Sequence, residues 1–489
     1  MSDRGTPTLY GREVLYTDAE EITQENVVEK LKEVIPAYER NRGQIEYLYK
    51  YYRGRQPVID RKKEIRPDIK NVLVENRANE IVSFKTGFLI GEPIQYVNRG
   101  GDDGINDDIE LLNEYVFAEN KILKDKELVE WFSICGVAYR LVLPDKMAGE
   151  KEEDESPFEV FTLDPRDTFV VYHNGIRRQP VMGVYVIQPR EGNLIYNVYT
   201  ENEFFEIQDD DVQKVEPHIL KGVPIIEYMT SPARLGEFEI VVPLLDAINQ
   251  VGSNRLDGIE QFVEALMVIK GMDIKSEELA ELQKLGGIKV PADGDVKYLV
   301  QELNQTQTQT IVDYMYEAVL TICGMPNRNG GHSTSDTGRA VIFRDGWTSA
   351  EARAKERETQ FKESEKRFLK FAVRICKELK GSKLKLSDID IRFTRRNFEN
   401  ILEKTQVLLM MLASGKVHPR LAFSHSGMFA DPDLAYTMSR DWWEENEAKM
   451  AQELSEGFES ARLDEWDNRT RAEGGLDVQE TGQDAADNQ

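Results

Sequence analysis

The sequence predicts a multi-domain α+β protein, and three observations carry that expectation. Residues 158–207 alternate apolar and polar side chains with the period of two that half-buried strands require. Residues 238–380 instead repeat apolar side chains at steps of three, four and seven, the stripe of amphipathic helices. At 489 residues, the chain has room for about three domains with real cores.

The charge balance limits the functions available. With 62 basic against 88 acidic residues, the formal charge is −26. Duplex DNA carries about one negative charge per 1.7 Å and is repelled on average, which excludes simple binding through a basic groove but leaves brief contact open. No apolar run approaches the roughly 18 residues of a membrane span, and the start MSDRGTPTLY has no apolar signal core. A soluble protein made in the cytoplasm is expected, with no membrane partner. Cys135, Cys323 and Cys376 are far apart among apolar neighbours. They read as buried free thiols; no metal and no cofactor is expected.

Taken in order, residues 23–52 carry a helical stripe of Val27, Leu31, Ile35 and Tyr38, with Pro36 as a kink or a division. Residues 52–63, YRGRQPVIDRKK, form a basic turn. Pro57, Gly91 and Pro93 bound a helix lying between them. The acidic run 100–108 lacks calcium-loop spacing and reads as a surface loop, followed by a helix through Leu112 and Val116. Strands are expected at 158–162, 169–172, 181–187, 194–199 and 204–207 in one antiparallel sheet, with Asn174-Gly175 as a hairpin turn.

A helix over 239–265 follows from Ile240, Leu244, Leu245, Ile248 and Val251. A small insert comes next, with strands at 268–269, 288–290 and 296–299 separated by glycines and Pro291. A second helix over 308–324 places Ile311, Tyr314, Met315, Ala318, Val319 and Ile322 on one face, and Gly324 and Pro326 end it. The loop NRNGGHSTSDT contains Asn329, Gly330, Gly331, His332, Ser333, Thr334, Ser335 and Asp336, and is too polar for a core element.

The third helix, 338–379, has Phe361, Phe368 and Ile375 spaced by seven in its later half. Its earlier half is charged nearly all round, with Glu351 and Lys355, Glu358 and Lys362, and Glu363 and Arg367 each four apart. That half is either a solvated helix crossing between domains or a helix packed against another copy. Thr348 with Glu351 fits a capping box, so Gly346 marks a kink or break. Residues 389–393 read as a strand returning to the sheet, and 399–412 and 433–450 as helices. Beyond Trp466 the composition is acidic and nearly free of apolar residues, a disordered end.

At YRGRQPVIDRKK, then NVLVENRANEI over 71–81 and GFLIGEPIQY over 87–96, the chain resembles the portal proteins of tailed bacteriophages, in the group typified by phage SPP1. The order helix, insert, helix, loop and long helix agrees, and TGRAV over 337–341 is similar to the motif that begins that family's long helix. The resemblance covers roughly residues 23–450. Where the family would place a proline, Asn397, Phe398 and Glu399 follow the strand after Asp388.

The resemblance implies a portal fold and a ring of roughly twelve copies around an axial tunnel at one capsid vertex, a closed heterologous arrangement. It implies a wing over 1–236, stem helices over 237–265 and 308–326, and a clip over 266–307. A tunnel loop over 327–337, a long helix and returning wing strand over 338–397, crown helices over 398–465 and a tail over 466–489 complete the scheme. The implied partners are other copies of the chain, the terminase large subunit, a head completion or adaptor protein, major capsid and scaffolding proteins, and the duplex DNA in transit. The implied location is the virion, with assembly in the host cytoplasm. Lys270, Lys275 and Lys289 in the insert either face DNA or the motor or are ordinary solvated lysines. The charged pairs Glu351–Lys355, Glu358–Lys362 and Glu363–Arg367 would then lie between subunits.

Two other classes compete. A capsid-associated scaffold or adaptor would be soluble and helical without a tunnel. A metal-dependent DNA-processing enzyme has little support. No GxxxxGK[ST], HExxH or GxSxG motif occurs, and Asp388 and Asp390 alternating along a strand are weak evidence for a two-metal site. No catalytic residue is assigned.

Overall fold

The structure, a computed structural model, describes residues 11–64, 67–99, 103–145, 155–263, 266–270, 295–299, 305–327, 346–393, 401–429, 432–444 and 446–447. The chain divides into two compact units, Met1–Arg396 and Asn397–Gln489.

Two sheets organise the first unit. In the six-stranded sheet, β1 (Leu15–Thr17), β5 (Thr168–His173), β6 (Pro180–Ile187), β7 (Ile195–Tyr199), β8 (Glu203–Gln208) and β9 (Asp211–Pro217) lie in that order. All its neighbours are antiparallel except β1 and β5, which run parallel. In the three-stranded sheet, β3 (Val137–Pro144) lies between β10 (Ile225–Met229) and β4 (Phe158–Leu163). The expected single antiparallel sheet is therefore corrected: β4 belongs to a different sheet from the strands after it. Period two cannot show this, because it fixes which face a side chain takes and not which strand is its neighbour.

Strands buried on both faces separate three cores. Along β5, Phe169 and Val171 join a core with Leu31, Val34 and Tyr38 of α1 (Val27–Tyr52), while Val170 and Tyr172 face a second core. Along β3, Val137, Tyr139 and Leu141 face that second core, and Ala138 and Val142 face a third. Pro36 lies inside α1 on its exposed side and does not divide the helix.

Helices α2 (Arg77–Leu89), α3 (Asn106–Ala118) and α4 (Lys121–Cys135) pack around these sheets. Helix α4 ends at Gly136, whose φ is +84°; a Cβ there would sit 2.0 Å from the carbonyl oxygen of Arg234, so only glycine fits. Strand β2 (Gln95–Asn98) pairs with β13 (Ile389–Arg392). This corrects the expected return of the 389–393 strand to the large sheet.

Helix α5 (Val242–Val263) leads into β11 (Leu266–Lys270), which pairs antiparallel with β12 (Asp295–Leu299), followed by α6 (Gln305–Cys323). The expected strand at 288–290 lies outside the described residues. Helix α7 (Trp347–Lys380) is flanked by Gly346 and Gly381, both left-handed. Its N-cap is Gly346 with no side-chain cap, so the expected capping box from Thr348 to Glu351 is corrected: Thr348 already lies in the first turn. Phe361, Phe368 and Ile375 are all buried, as their spacing predicts.

In the second unit, α8 (Ile401–Ala413), α9 (Pro419–Ser426) and a helix at 432–444 surround Leu408, Ala422 and Phe423. The acidic end, 466–489, lies outside the described residues.

Candidate assembly interface

Helix α5 is held along its length by a strap formed from residues 71–75. The main-chain N–H of Asn71 donates to Asp257 Oδ1 at 2.7 Å, that of Leu73 to Ser253 Oγ at 2.9 Å, and that of Glu75 to Asn249 Oδ1 at 2.9 Å. The spacing explains itself. Four residues of helix advance about 6 Å, and two residues of extended chain advance about 6.6 Å, so every second N–H of the strap meets every fourth side chain of the helix. Gly252 keeps the helix surface low where Leu73 crosses, since a Cβ there would meet Leu73 Cδ2 at 2.7 Å.

The basic turn closes the strap. Asp257 is buried and also receives Arg61 and, at 3.1 Å, Lys63. Burial pushes its carboxyl up, but the Asn71 and Lys63 bonds and the Arg61 charge outweigh this and hold it below the usual carboxylate range. At the other end, Asn249 donates to Gln56, whose amide donates to Asn76 at 3.0 Å.

Helix α6 packs on α5 and the second core through Val319, Leu320 and Cys323. The stripe read from the sequence is only partly its core face. Ile311, Tyr314 and Ile322 are 54%, 72% and 41% exposed, and on α5 Leu256 and Ile259 are exposed as well. Among the described residues these apolar side chains are exposed on both helices.

The described residues that flank the segment 328–345 are adjacent. Gly346 stands against the chain before the loop, so that a Cβ on it would lie 3.6 Å from Met325 O and 3.7 Å from Pro326 Cα. Beside this point Lys85 donates to the Cys323 carbonyl, and Arg357 pairs with Glu237 and donates to Thr230 O at 2.8 Å. Burial, with Arg357 and Arg353 nearby, lowers the Lys85 pKa against the pull of Glu237.

Helix α7 is pinned by a buried ion network. Glu365 lies between Lys121, at 2.7 Å, and Arg140, at 3.3 Å, and accepts from Tyr96 and Tyr228 hydroxyls at 2.6 and 2.7 Å. Asp125 holds the same two cations, Lys121 at 2.8 Å. Two positive and two negative side chains balance, which is the condition for burying them. Burial pushes Glu365 up, yet Lys121 and Arg140 outweigh it and bring its pKa down to about 2.

The sequence-predicted residues fall into three groups. Asn329, Gly330, Gly331, His332, Ser333, Thr334, Ser335 and Asp336, with Lys275 and Lys289, lie outside the described residues; Lys270 ends β11. Glu351–Lys355, Glu358–Lys362 and Glu363–Arg367 are ion pairs within α7, at 3.8, 3.2 and 3.4 Å. Asp388 caps a turn by accepting from Lys385 N–H at 3.1 Å, and Asp390 pairs with Arg392 at 2.9 Å. Sequence reading missed Arg140 and Glu365. The signal was there: each is a charge on an otherwise apolar stripe.

The family of phage portal proteins described as SPP1 Gp6-like matches residues 31–456, most of the chain. The chain belongs to the phage portal protein family. A comparison with curated proteins gave no match. Among solved structures, a chain from the neck of an empty GTA particle is similar at 12% identity and a TM-score of 0.39, over 72% of this chain and 90% of that one. A chain from the virion of a native gene transfer agent particle gives 12% and 0.41, over 72% and 89%. Within this portal family member, two of the segments that carried the resemblance, YRGRQPVIDRKK and NVLVENRANEI, are the turn and the strap that fasten α5. Their chemistry is structural: they supply main-chain N–H groups and cations to one helix.

Proposed function

We propose that the chain forms a closed ring of about twelve copies around a DNA passage at one capsid vertex. Copies meet there through a repeated heterologous contact. The observation that carries this reading is the exposed apolar stripe of Ile311, Tyr314 and Ile322 on α6, with Leu256 and Ile259 also exposed on α5, in a chain of the portal family. A neighbouring copy covers it.

In this reading α5 and α6 are the stem and residues 266–307 are the clip, which docks the terminase and later the head-to-tail connector. Residues 329–336 face the passage, residues 398–465 form the crown, and the rest of the first unit is the wing. The pairs within α7 add neighbour contacts by exchanging partners at its exposed face. A ring of this size carries about 300 excess negative charges, which keeps DNA from adhering as it slides. The subunit conducts and docks, and a separate ATPase supplies force.

Negative-stain microscopy with light-scattering mass tests this. Rings of about a dozen copies with a central hole are expected. A chain that stays monomeric at every concentration and beside its scaffolding partner would overturn it.

A further inference from the structure

A ring closed by one repeated contact needs two different patches on each copy that fit each other. The first unit carries such a pair. One is a groove of about 700 Å³ between the β5–β6 hairpin, β10 and α7, within the roughly 300–1,000 Å³ that suits a buried side-chain cluster or ligand. Its floor includes Val170, Val223, Ile225 and Phe371. Its walls differ in sign: Arg177 and Arg178 on the hairpin and Arg367 and Lys370 on α7 are basic, while Glu20, Glu21, Glu201 and Glu203 line the mouth. Glu227, at the inner end, is already engaged by Arg234 and the Tyr172 hydroxyl, both at 2.7 Å.

The other patch is the outer face of α3. Glu110, Glu114 and Phe117, spaced four and three, fall on one stripe and are all exposed. Phe117 is 85% exposed, an uncommon cost for a side chain of its size. Helix α3 has five carboxylates with the residue after it, and no basic side chain. The two patches lie on opposite flanks of α7. At 3.6 residues per turn, Arg367, Lys370, Phe371 and Arg374 share one side of that helix, and Val373, Cys376 and Lys380 share the other. The first set meets the groove, with Arg374 donating to Leu220 and Lys221 carbonyls; the second meets Leu111, Leu112 and Tyr115 of α3.

We propose that Phe117 of one copy enters the groove of the next, where Arg367 and Lys370 meet Glu110 and Glu114. This rests on the ring reading, and deepens it by assigning the contact. The apolar tip fits the apolar floor, and the acidic flank fits the basic wall. Opposite placement lets every copy give and receive at once.

The test uses the full chain carrying Phe117→Cys and Lys370→Cys together, oxidised and run on a non-reducing gel. The native cysteines are buried and do not interfere. A covalent ladder extending beyond dimer, absent from either single variant, is expected. Glu110→Lys with Glu114→Lys, and Arg367→Glu with Lys370→Glu, should each lower ring yield about tenfold or more, and the four together should recover it to within about threefold. Melting curves like the parent's show that the reversals fold. Rings that form with no ladder overturn the contact and leave the ring standing; a ladder that stops at dimer overturns it in favour of a two-fold pair. A parent chain that forms no rings, together with a double-cysteine chain that forms no ladder, overturns contact and ring together.

Discussion

The ammonium of Lys121 lies 2.7 Å from the carboxylate of Glu365, and the two side chains are 4% and 0% exposed. Helix α7 is therefore fixed in register against α4 and β3 by charge, in addition to its apolar stripe. A buried pair of this kind contributes little over an apolar substitute, but costs much when one partner is lost.

Glu365→Gln should destabilise the first unit by about 3–5 kcal/mol, because Lys121 and Arg140 then face Asp125 alone. Acid should act on the same group. Its folded pKa, about 2, is below the ordinary 4.5, so its contribution is complete above pH 4.5 and is lost as pH falls towards 2. Thermal melting from pH 7 to pH 2 checks both: the variant should melt lower at neutral pH and lose less on acidification. An identical pH slope for parent and variant would show that Glu365 does not titrate this way.

Asp257→Ala should release the strap. Arg61 and the Asn71 N–H lose this acceptor and Lys63 keeps the Ile69 carbonyl, at a cost of about 2–3 kcal/mol. Ser253→Ala removes one bond of the ladder and should cost about 1 kcal/mol. Trypsin reports the difference. Cleavage at Arg61, Lys62, Lys63 and Lys70 should appear first in the Asp257 variant, and protection equal to the parent's would exclude the fastening role.

Ile311→Glu with Tyr314→Glu should leave the subunit's melting within a few degrees of the parent, since both side chains are exposed. Ring yield should collapse. Intact rings in the double variant would mean that this stripe faces solvent in the assembly.

Replacing residues 328–345 with a short glycine-serine linker should preserve folding, because Gly346 already adjoins Met325 and Pro326. Rings should persist while DNA packaging or retention fails. Rings lost with the segment would make it a structural element.

Sequence periodicity located most helices and the five strands between residues 158 and 208 because their repeat is local, but it did not find β9 or β10. It did not assign β4 to its sheet or β13 to β2, since pairing depends on distant chain. It also missed β3, whose run VAYRLVLP is buried on both faces and so does not alternate. The stripe on α6 was legible as apolar, but Val319 faces the core and Tyr314 faces outward, and a single period cannot tell a core from a docking surface. The ion network was missed, because its charges lie far apart in the chain and only three dimensions join Arg140 to Glu365.

Because the chain leaves and re-enters at Pro326 and Gly346, residues 328–345 are in effect a cassette. The two helices that carry them are anchored independently, α6 by the second core and α7 by the Lys121–Glu365 network. Doubling the length of such an excursion raises its closure cost by only about 0.6 kcal/mol. A change in its length therefore costs little and leaves the supports on either side in place.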